Sequence, residues 1–514
     1  MSDPPTSEPT LDELREALRQ REARALAMGG AEKLAQRRAL GVLNARERIA
    51  RLFDPGSFLE SGLLAHSIRE ADRERTPADG KITGYGRIEG RPAACVANDF
   101  TVLGASSSWV NGRKIRHLKQ VAARRGLPIV WLGESTGARL PDVMGAEAMG
   151  MADDPAQYRR LRETPWAAAV LGHCYGSSAW YAAMSDFVVM RRGAILAVSS
   201  PKLTALATGE QLDPEALGGW KLHAEVTGLV DRVVDRDEEA IDAIKRFLSY
   251  LPSHSGEPPP VAERFEAPDA DALARHLPTS RRRVYEVRKV LAAIFDRDSL
   301  FELKAGYGGA LVTALARLNG HSVGVLASNP MVKGGAIDAA ACGKATAFLV
   351  LCDSFNIPLV FMIDQPGFLI GVEGERRGMP GRVMNWMNAL SLVTVPRLAV
   401  VMRKNYGQAL LNFGGGGNAD ETLVWTTAEI GFMSPEFAAR IVHGEPTDPD
   451  TERQRLEEMA RSTSPYALAG IYAAQHVIDP RDTRALLLHL LEVHRRPRGG
   501  VGEHRLHNWP TSLA

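Results

Sequence analysis

Four short apolar runs, each ending in a glycine-containing turn, dominate the hydrophobic pattern of this chain. Two follow a proline, in PIVWLGESTGAR from residue 128 and PLVFMIDQPGF from residue 358. Two lead into a Tyr-Gly pair, in AAAVLGHCYGSSA from residue 167 and LAVVMRKNYGQAL from residue 398. A short apolar run that ends in a turn is typical of a buried strand. With the helix-compatible stretches between them, these runs predict an α/β fold with ligands at the strand ends.

The two halves of the sequence repeat each other. A Pro-rich polar stretch, residues 251–268, lies at the midpoint, and an offset of about 230 residues pairs many glycines and prolines. The pairs include Gly104 with Gly334, Lys114 with Lys344, Glu134 with Asp364, Gly137 with Gly367, Tyr175 with Tyr406 and Gly176 with Gly407. Because Gly and Pro fix backbone geometry, this agreement indicates an internal duplication. We predict domains at 41–256 and 257–514 after an N-terminal helical segment, 1–40.

The N-terminal segment has the pattern of one amphipathic helix, from Leu11 to about Arg38. Thr10 and Glu13 are spaced as a capping box, in which each side chain accepts a hydrogen bond from the backbone N–H of the other residue. The segment is therefore expected to be a single helix that begins at Leu11.

Composition excludes several classes of function. The chain has 62 Lys and Arg against 61 Asp and Glu, so its net charge of +1 gives no reason to expect nucleic acid or an anionic membrane as a partner. Its four cysteines lack CxxC spacing, which argues against a zinc ribbon or a disulfide framework. The longest apolar stretch, 348–363, is broken by polar residues and proline. We expect a cytoplasmic protein that does not span a membrane.

No side-chain motif for catalysis is apparent. The sequence has no GxxxxGK[ST] phosphate loop, metal-ligand cluster or Ser/His/Asp order. A strand that enters a turn of small residues and then a helix directs backbone N–H groups at one point, which stabilises an oxyanion without a titratable side chain. The duplication predicts such a turn in each half.

Several blocks resemble the beta subunits of propionyl-CoA and methylcrotonoyl-CoA carboxylases, in order and over nearly the whole chain. They include LNARERIARLFDPGSF (43–58), DGKITGYGRIEGRP (79–92), NDFTVLGAS (98–106), ESTGARLPD (134–142), FNIPLVFMIDQPGFLIG (355–371) and TAEIGFM (427–433). The resemblance implies two tandem crotonase-like (ClpP/crotonase) domains, with acyl-CoA on the N-terminal half and biotin on the C-terminal half. It also implies a hexamer built from dimers, and a partner chain with biotin carboxylase and the biotin carrier. No metal or ATP is expected on this chain.

The resemblance further implies roles for single residues. Amides of Thr136 and Gly137 are expected to hold the thioester enolate, and amides of Gln408 and Ala409 the ureido oxygen of biotin. Substrate binding is expected at Gly104, Ala105, Ser106, Lys114, Ala138, Arg139 and Leu411, and biotin binding at Gly367, Phe368, Tyr406 and Gly407. The implied reaction transfers carboxyl from carboxybiotin to the α-carbon, or vinylogous carbon, of a short or branched acyl-CoA such as propionyl-CoA.

Two of these residues depart from the family pattern. Thr136 and Gln408 each replace a glycine, so an N–H group remains but a side chain is added. We expect a positive φ there to be strained, most of all for the β-branched threonine. Three other functions remain open: a biotin-dependent acyl-CoA decarboxylase subunit, a non-catalytic scaffold subunit, and a crotonase-type hydratase or hydrolase. The last is disfavoured because no paired carboxylates lie at the turns.

Overall fold

A computed structural model describes residues 8–140, 142–150, 154–269, 271–278, 280, 283–446, 448–495 and 499–510. The chain divides into two compact units. Unit 1 comprises Met1–Arg160, Trp166–Trp220 and Val233–Lys245, and unit 2 comprises Leu161–Pro165, Lys221–Arg232 and Arg246–Ala514. Short segments from the first half of the sequence thus belong to unit 2. The domain limits expected at residues 40 and 256 remain a prediction.

The first sheet has the strand order β1-β2-β3-β4-β5-β6-β8, and β7 pairs with β5. Its strands are β1 Leu59–Ser61, β2 Lys81–Ile88, β3 Arg91–Asn98, β4 Ile129–Ser135, β5 Trp166–Tyr175, β6 Phe187–Arg191, β7 Ile195–Ala197 and β8 Arg232–Val234. β1, β2 and β3 are antiparallel, whereas β3 to β6 run parallel. The carboxyl ends of β4 and β5 therefore lie side by side.

The second sheet repeats this topology. Its order is β16-β14-β13-β12-β11-β10-β9, and β15 pairs with β13. Its strands are β9 Phe301–Leu303, β10 Leu311–Leu318, β11 His321–Ser328, β12 Leu359–Gln365, β13 Arg397–Tyr406, β14 Glu421–Trp425, β15 Glu429–Gly431 and β16 His476–Ile478. Again the first three strands are antiparallel and the following ones parallel. The repeated topology confirms the duplication and the α/β class.

Helices connect and cover the strands. Those up to residue 250 are α1 Leu11–Leu26, α2 Ala31–Ala39, α3 Ala45–Leu52, α4 Trp109–Arg125, α5 Gly145–Gly150, α6 Ser177–Ala183, α7 Pro201–Thr208, α8 Pro214–Gly218 and α9 Asp237–Tyr250. The later ones are α10 Ala272–His276, α11 Val287–Ala292, α12 Ala339–Ser354, α13 Val372–Arg376, α14 Met379–Leu392, α15 Ala409–Asn412, α16 Pro435–His443, α17 Pro449–Arg461, α18 Pro465–Gly470 and α19 Thr483–Val493. Short 3₁₀ segments lie at Glu70–Arg75, Pro77–Gly80, Leu103–Ala105, Lys333–Gly335 and Pro480–Asp482, and one π turn at Leu222–Val226.

The equivalent helices α4 and α12 differ in how much of their surface is buried. α4 buries one stripe and exposes its basic face, which is ordinary for a surface helix. α12 is buried on nearly every side, because its residues are mostly alanine, cysteine and large apolar residues. The duplication has thus preserved the helix while changing what covers it.

The N-terminal segment is two helices rather than the single helix that was expected. The Thr10–Glu13 capping box is confirmed at the start of α1. The chain breaks between α1 and α2 because Gly29 comes too close to Thr101 for a side chain, and Gly30 has a φ of 94°. The amide of Gly29 donates to the Thr101 hydroxyl at 2.9 Å. This contact fixes the start of α2 against the segment between β3 and α4.

Candidate active site

The first candidate turn follows β4. The backbone at residues 136–139 lies alongside residues 104–107: Ser107 N–H donates to the Gly137 carbonyl at 2.7 Å, and Arg139 N–H to the Ser107 carbonyl at 2.8 Å. The predicted residues Gly104, Ala105, Ser106, Thr136, Gly137, Ala138 and Arg139 therefore come together in unit 1. Thr136 and Ala138 are exposed, whereas Gly137 and Arg139 are buried. The edge of this turn is open to a ligand.

The two amides proposed for the enolate are engaged within the unit. Thr136 N–H donates to the Gly104 carbonyl at 3.0 Å. Gly137 N–H donates to the Ser135 hydroxyl at 3.2 Å, a long bond to a group that rotates. Gly137 can exchange this partner for a substrate oxygen easily, whereas Thr136 must give up a backbone bond. The catalytic role of both amides stays a prediction.

The strain expected at the two replaced glycines is absent. Gln408 has a φ of −57°, and Thr136 is not among the residues with positive φ. The left-handed positions are the neighbours Gly137 (φ 98°) and Gly407 (φ 65°), which are still glycine. The expectation was wrong because it placed the unusual backbone conformation one residue away from where it lies. Thr136 and Gln408 therefore add side chains without backbone cost.

The buried side chain of Arg139 stabilises the turn after β4. Its side chain is 4% exposed and forms an ion pair with Asp79, which is fully buried. It also donates to the Ser106 hydroxyl at 3.2 Å and lies 3.5 Å from a carboxylate oxygen of Asp142. Asp79 also accepts from Ser108 at the start of α4. Because its guanidinium is satisfied inside this network, Arg139 is placed to position the turn rather than to contact a ligand.

Lys114 also points inward. Its ammonium donates to the carbonyls of Ala78 at 2.8 Å and Lys81 at 2.5 Å. Its equivalent in the second half, Lys344, donates to the carbonyls of Lys304, Tyr307 and Leu311 at 2.8 to 2.9 Å. Burial lowers the pKa of Lys114 to about 8 and that of Lys344 to about 7. The aligned lysines thus share a structural contact, and substrate binding by Lys114 stays a prediction.

Glu134, the residue before Ser135, is held by two arginines. Arg37 of α2 makes two hydrogen bonds of 2.6 Å to its carboxylate. Arg48 of α3 lies 2.8 Å from the carboxylate and 2.8 Å from Asp237. Although burial opposes it, the charges of Arg48 and Arg37 hold the pKa of Glu134 below its ordinary value. The N-terminal helices thereby fix the end of β4.

The second candidate turn follows β13 in unit 2. Tyr406 donates to the carboxylate of Glu429, and Gly407 N–H donates to the Gly431 carbonyl at 3.0 Å. The N–H groups of Gln408 and Ala409, at the start of α15, bond to no acceptor among the described residues. Two adjacent donors without a partner suit an acceptor such as a ureido oxygen.

The remaining C-terminal candidates surround this turn. Gly367 and Phe368 follow β12, and Ile337 N–H donates to the Gly367 carbonyl at 3.1 Å, as Ser107 does to Gly137. Phe368 packs edge-on against Trp386 at 6.4 Å. Leu411 lies in α15, where a side chain on Gly416 would come within 2.9 Å of it. The glycine run 414–417 thus folds over α15 instead of forming an open loop.

The turns after β12 and β4 differ in one respect that matters for chemistry. The residue equivalent to Thr136 is Pro366, which has no N–H. The turn after β12 therefore cannot offer the same pair of amides as the turn after β4.

Sequence reasoning missed two donors in unit 1. The N–H groups of Ser177 and Ser178, where α6 begins after β5, also bond to no described residue. An added Cβ on Gly176 would lie 3.6 Å from the Cα of Gly137, so this turn adjoins the one after β4. The alignment of Gly176 with Gly407 was the signal, because it makes Ser177 the equivalent of Gln408.

A cavity of about 320 Å³ opens beside these turns in unit 1. Ala138, Gly176 and Ser177 form its turn side. Arg113 and Arg116 of α4 contribute positive charge, and apolar walls come from Ile115, Val143, Met149 and Tyr158. A cavity of this size with apolar walls and a few polar groups is typical of a ligand site.

The described residues contain neither a metal-binding cluster nor a membrane-spanning helix. No group of three or more His, Cys, Asp or Glu side chains in the described ranges is arranged to hold a metal ion. Among the described helices, none has the length and apolar character needed to cross a membrane.

Comparison with known proteins identifies the family of this chain. A family model described as the carboxyl transferase domain matches residues 36–499. The chain belongs to the carboxyltransferase family. This carboxyltransferase is 34% identical to the carboxyltransferase subunit of propionyl-CoA carboxylase from Haloferax mediterranei, over 94% of this chain and 95% of that protein. It is 32% identical to methylmalonyl-CoA decarboxylase subunit alpha from Veillonella parvula, over 94% and 96%.

A solved structure agrees with the fold of this carboxyltransferase. The transcarboxylase 12S crystal structure, a hexamer with methylmalonyl-coenzyme A and methylmalonic acid bound, matches with a TM-score of 0.88 and 32% identity over 95% of this chain and 96% of that one. The tandem crotonase-like fold is confirmed. The chain is a carboxyltransferase of the biotin-dependent acyl-CoA carboxylase, transcarboxylase and decarboxylase family.

Proposed function

We propose that this carboxyltransferase is the component of a biotin-dependent acyl-CoA carboxylase that carboxylates a short or branched acyl-CoA such as propionyl-CoA. The cavity beside the first turn supports this most strongly. Its two arginines suit the phosphates of coenzyme A, and its apolar walls suit an acyl chain. The exposed edge of the turn then lies where the thioester enters.

Backbone donors carry the chemistry that this chain supplies. Gly137 N–H and Ser177 N–H are the donors we assign to the thioester oxygen, because negative charge develops there when the α-proton leaves. Thr136 N–H joins them if it exchanges its bond to Gly104. Arg139 and Glu134 keep the turn in place. The chain thus contributes position and fixed dipoles instead of a side-chain base.

The unpaired amides of Gln408 and Ala409 fit biotin in the second unit. We assign these two N–H groups to its ureido oxygen, with Gly367, Phe368, Tyr406 and Gly407 around them. When bound, biotin supplies the carboxyl group and the base for the α-proton. A partner chain with biotin carboxylase and the biotin carrier is proposed to bring it, and this chain is proposed to form a hexamer like transcarboxylase 12S.

The first experiment is the reverse half-reaction with the purified chain alone. Free biotin is incubated with malonyl-CoA or methylmalonyl-CoA, and carboxybiotin is measured. Transfer from either supports the proposal, and the ratio of the two rates indicates the size of the acyl pocket. No transfer from a panel of carboxylated acyl-CoAs would favour the scaffold function.

A substitution at Gln408 tests the second turn. Gln408→Pro removes one N–H while keeping the φ of −57°, which proline also adopts. Loss of one oxyanion donor typically costs about 10²- to 10³-fold in rate. Gln408→Ala, which keeps the N–H, is the matched control and should transfer carboxyl at close to the parent rate. Equal rates for the two variants would reject the role of this amide.

A decarboxylase subunit is the second candidate, because one of the relatives is a methylmalonyl-CoA decarboxylase subunit. The two functions differ in the direction of carboxyl transfer between biotin and acyl-CoA. Formation of carboxylated acyl-CoA with ATP, bicarbonate and a partner supports the carboxylase. Decarboxylation under every condition tested would support the alternative.

A further inference from the structure

Gln365 is the last residue of β12, and its side chain reaches the turn after β13. Its amide nitrogen donates to the side-chain oxygen of Asn405 at 2.6 Å and to the carbonyl of Tyr406 at 3.2 Å. Gln365 is fully buried, and Asn405 and Tyr406 are each 3% exposed. Water is therefore in no position to replace these two bonds. They tie the end of β12 to the residues just before Gln408.

The bond to Tyr406 helps to hold one peptide group of this turn at both ends. The carbonyl of Tyr406 and the N–H of Gly407 belong to the same planar peptide group. The carbonyl accepts from Gln365, and the N–H donates to the Gly431 carbonyl at 3.0 Å. The next backbone rotation is about Gly407, which has a φ of 65° and no side chain to restrict it. The direction of the Gln408 N–H therefore depends on how firmly this peptide group is held.

The two ends of the Gln365 amide are used unequally. The nitrogen makes both bonds, whereas the oxygen, Oε1, is buried and receives a hydrogen bond from no described residue. A buried oxygen without a donor costs free energy. The carbonyl of Tyr406 can only accept, so it requires the nitrogen end of the amide to face it. The orientation of this amide is therefore set by the turn after β13 and not by the surroundings of its own oxygen.

The equivalent residue in the first half, Ser135, supports a different turn. Both residues follow the same irregularity in strand pairing, after which Gln365 lies beside Asn405 and Ser135 beside Cys174. The Ser135 hydroxyl accepts from the Gly137 N–H at 3.2 Å, so it contacts the turn after its own strand. Gln365 instead contacts the turn after the neighbouring strand. In each half the contact is thus made with a turn whose amides are assigned to the reaction.

We propose that Gln365 is a positioning residue for the second turn, and that its bonds to Asn405 and Tyr406 keep the Gln408 N–H directed at the ureido oxygen of biotin. This inference rests on the proposed function. Gln365 acts through the backbone and is not itself assigned to contact biotin. Because displacement of a reacting group by about 1 Å can cost on the order of 10²-fold in rate, a loosened turn lowers carboxyl transfer although both N–H groups remain.

The test replaces Gln365 with methionine, which has a similar length and no hydrogen-bond donor. In the reverse half-reaction, Gln365→Met should lower kcat/KM for free biotin about tenfold, which is less than the 10²- to 10³-fold loss expected when an N–H is removed outright. The KM for methylmalonyl-CoA should not change, because its assigned site lies in unit 1. An unchanged kcat/KM for biotin would overturn the proposal. If Gln365→Met does not fold, Asn405→Ala removes one acceptor of the same amide and should give a smaller loss; no loss would overturn the proposal equally.

A double-mutant cycle shows whether Gln365 acts through Gln408. Gln408→Pro already lacks the N–H, so adding Gln365→Met should lower kcat/KM for biotin further by no more than about threefold. The full tenfold loss on top of Gln408→Pro would overturn the assignment to this amide.

A second buried amide separates positioning from folding. Asn356 of unit 2 donates to the carbonyls of Ser255 and Glu257 at 2.6 and 2.7 Å, and none of its bonds involves the turn. Asn356→Ala should melt lower and, at a temperature where it is folded, transfer carboxyl at the parent rate. A loss of kcat/KM for biotin equal to that of Gln365→Met would contradict the positioning role.

Hydrogen exchange measures the turn without any substrate. The N–H groups of Gly407, Leu410 and Leu411 are bonded within the turn and α15 or to Gly431, and they should exchange faster in Gln365→Met than in the parent chain. Unchanged exchange there would overturn the proposal. If the parent chain transfers no carboxyl, the proposed function fails, whereas exchange still tests the contact. An active parent chain with an unaffected Gln365→Met variant would reject the positioning role alone.

Discussion

Removing the Arg37 side chain should destabilise unit 1 measurably. Arg37→Met keeps an apolar stem and deletes both 2.6 Å bonds to Glu134. The pair is well shielded, since the two side chains are 12% and 4% exposed. Solvent therefore cannot replace the lost bonds as it does at a surface pair.

The size of the effect follows from what remains at Glu134. A hydrogen bond to a charged group contributes about 1.5 to 3 kcal/mol, and stripping a buried charge of every partner costs about 3 to 5 kcal/mol. Arg48 still lies 2.8 Å from the carboxylate after the substitution. We therefore expect Arg37→Met to lower the free energy of unfolding by about 2 to 4 kcal/mol.

The assay is a double-mutant cycle in urea. Arg37→Met, Glu134→Gln and the double variant give the coupling energy of the pair. Arg51 and Asp242 form the control, since their side chains are 45% and 52% exposed and should couple by less than about 1 kcal/mol. A coupling energy for Arg37 and Glu134 no larger than that of the control would refute the reasoning. Reverse half-reaction rates of the same variants show whether the turn has moved.

Three further outcomes are expected. Lys344 has a pKa of about 7 in the folded chain, against an ordinary value of 10.5. Between these two pH values the unfolded chain binds more protons than the folded chain, so the free energy of unfolding should rise with pH across that window. Lys344→Met should flatten this rise when urea midpoints are measured from pH 7 to 9. Gly104→Ala would place a Cβ 2.6 Å from the Thr136 methyl group; the variant should melt lower and recover part of the loss when Thr136→Gly is added. Gly29→Ala would collide with the Thr101 backbone and should expose α1 and α2 to limited proteolysis, whereas Gly112→Ala, with open space around it, should not.

Much of the fold could be predicted because glycine and proline mark backbone geometry directly. The apolar runs became β4, β5, β12 and β13, and the aligned halves became two sheets of the same order. The break between α1 and α2 could not be predicted. Its cause is the close approach of Thr101, a residue far away in the sequence, to Gly29.

The candidate site was predictable only in part. The turns were located correctly in the sequence, but which amides are engaged depends on the neighbouring backbone, as Gly104 shows for Thr136. The contacts of long side chains were harder to predict, because the sequence does not reveal the direction in which a side chain points. Lys114 was expected to bind substrate, and its ammonium group donates to two backbone carbonyls within unit 1.

Pro366 makes the divergence of the two halves difficult to reverse. In a freshly duplicated gene either copy can take over the work of the other, so damage to one is tolerated. Because Pro366 has no N–H, the turn after β12 cannot stand in for the turn after β4 as the same pair of amide donors. Selection must then maintain both halves at once. A chimera carrying two C-terminal halves would therefore have no equivalent of the Thr136 N–H in either half.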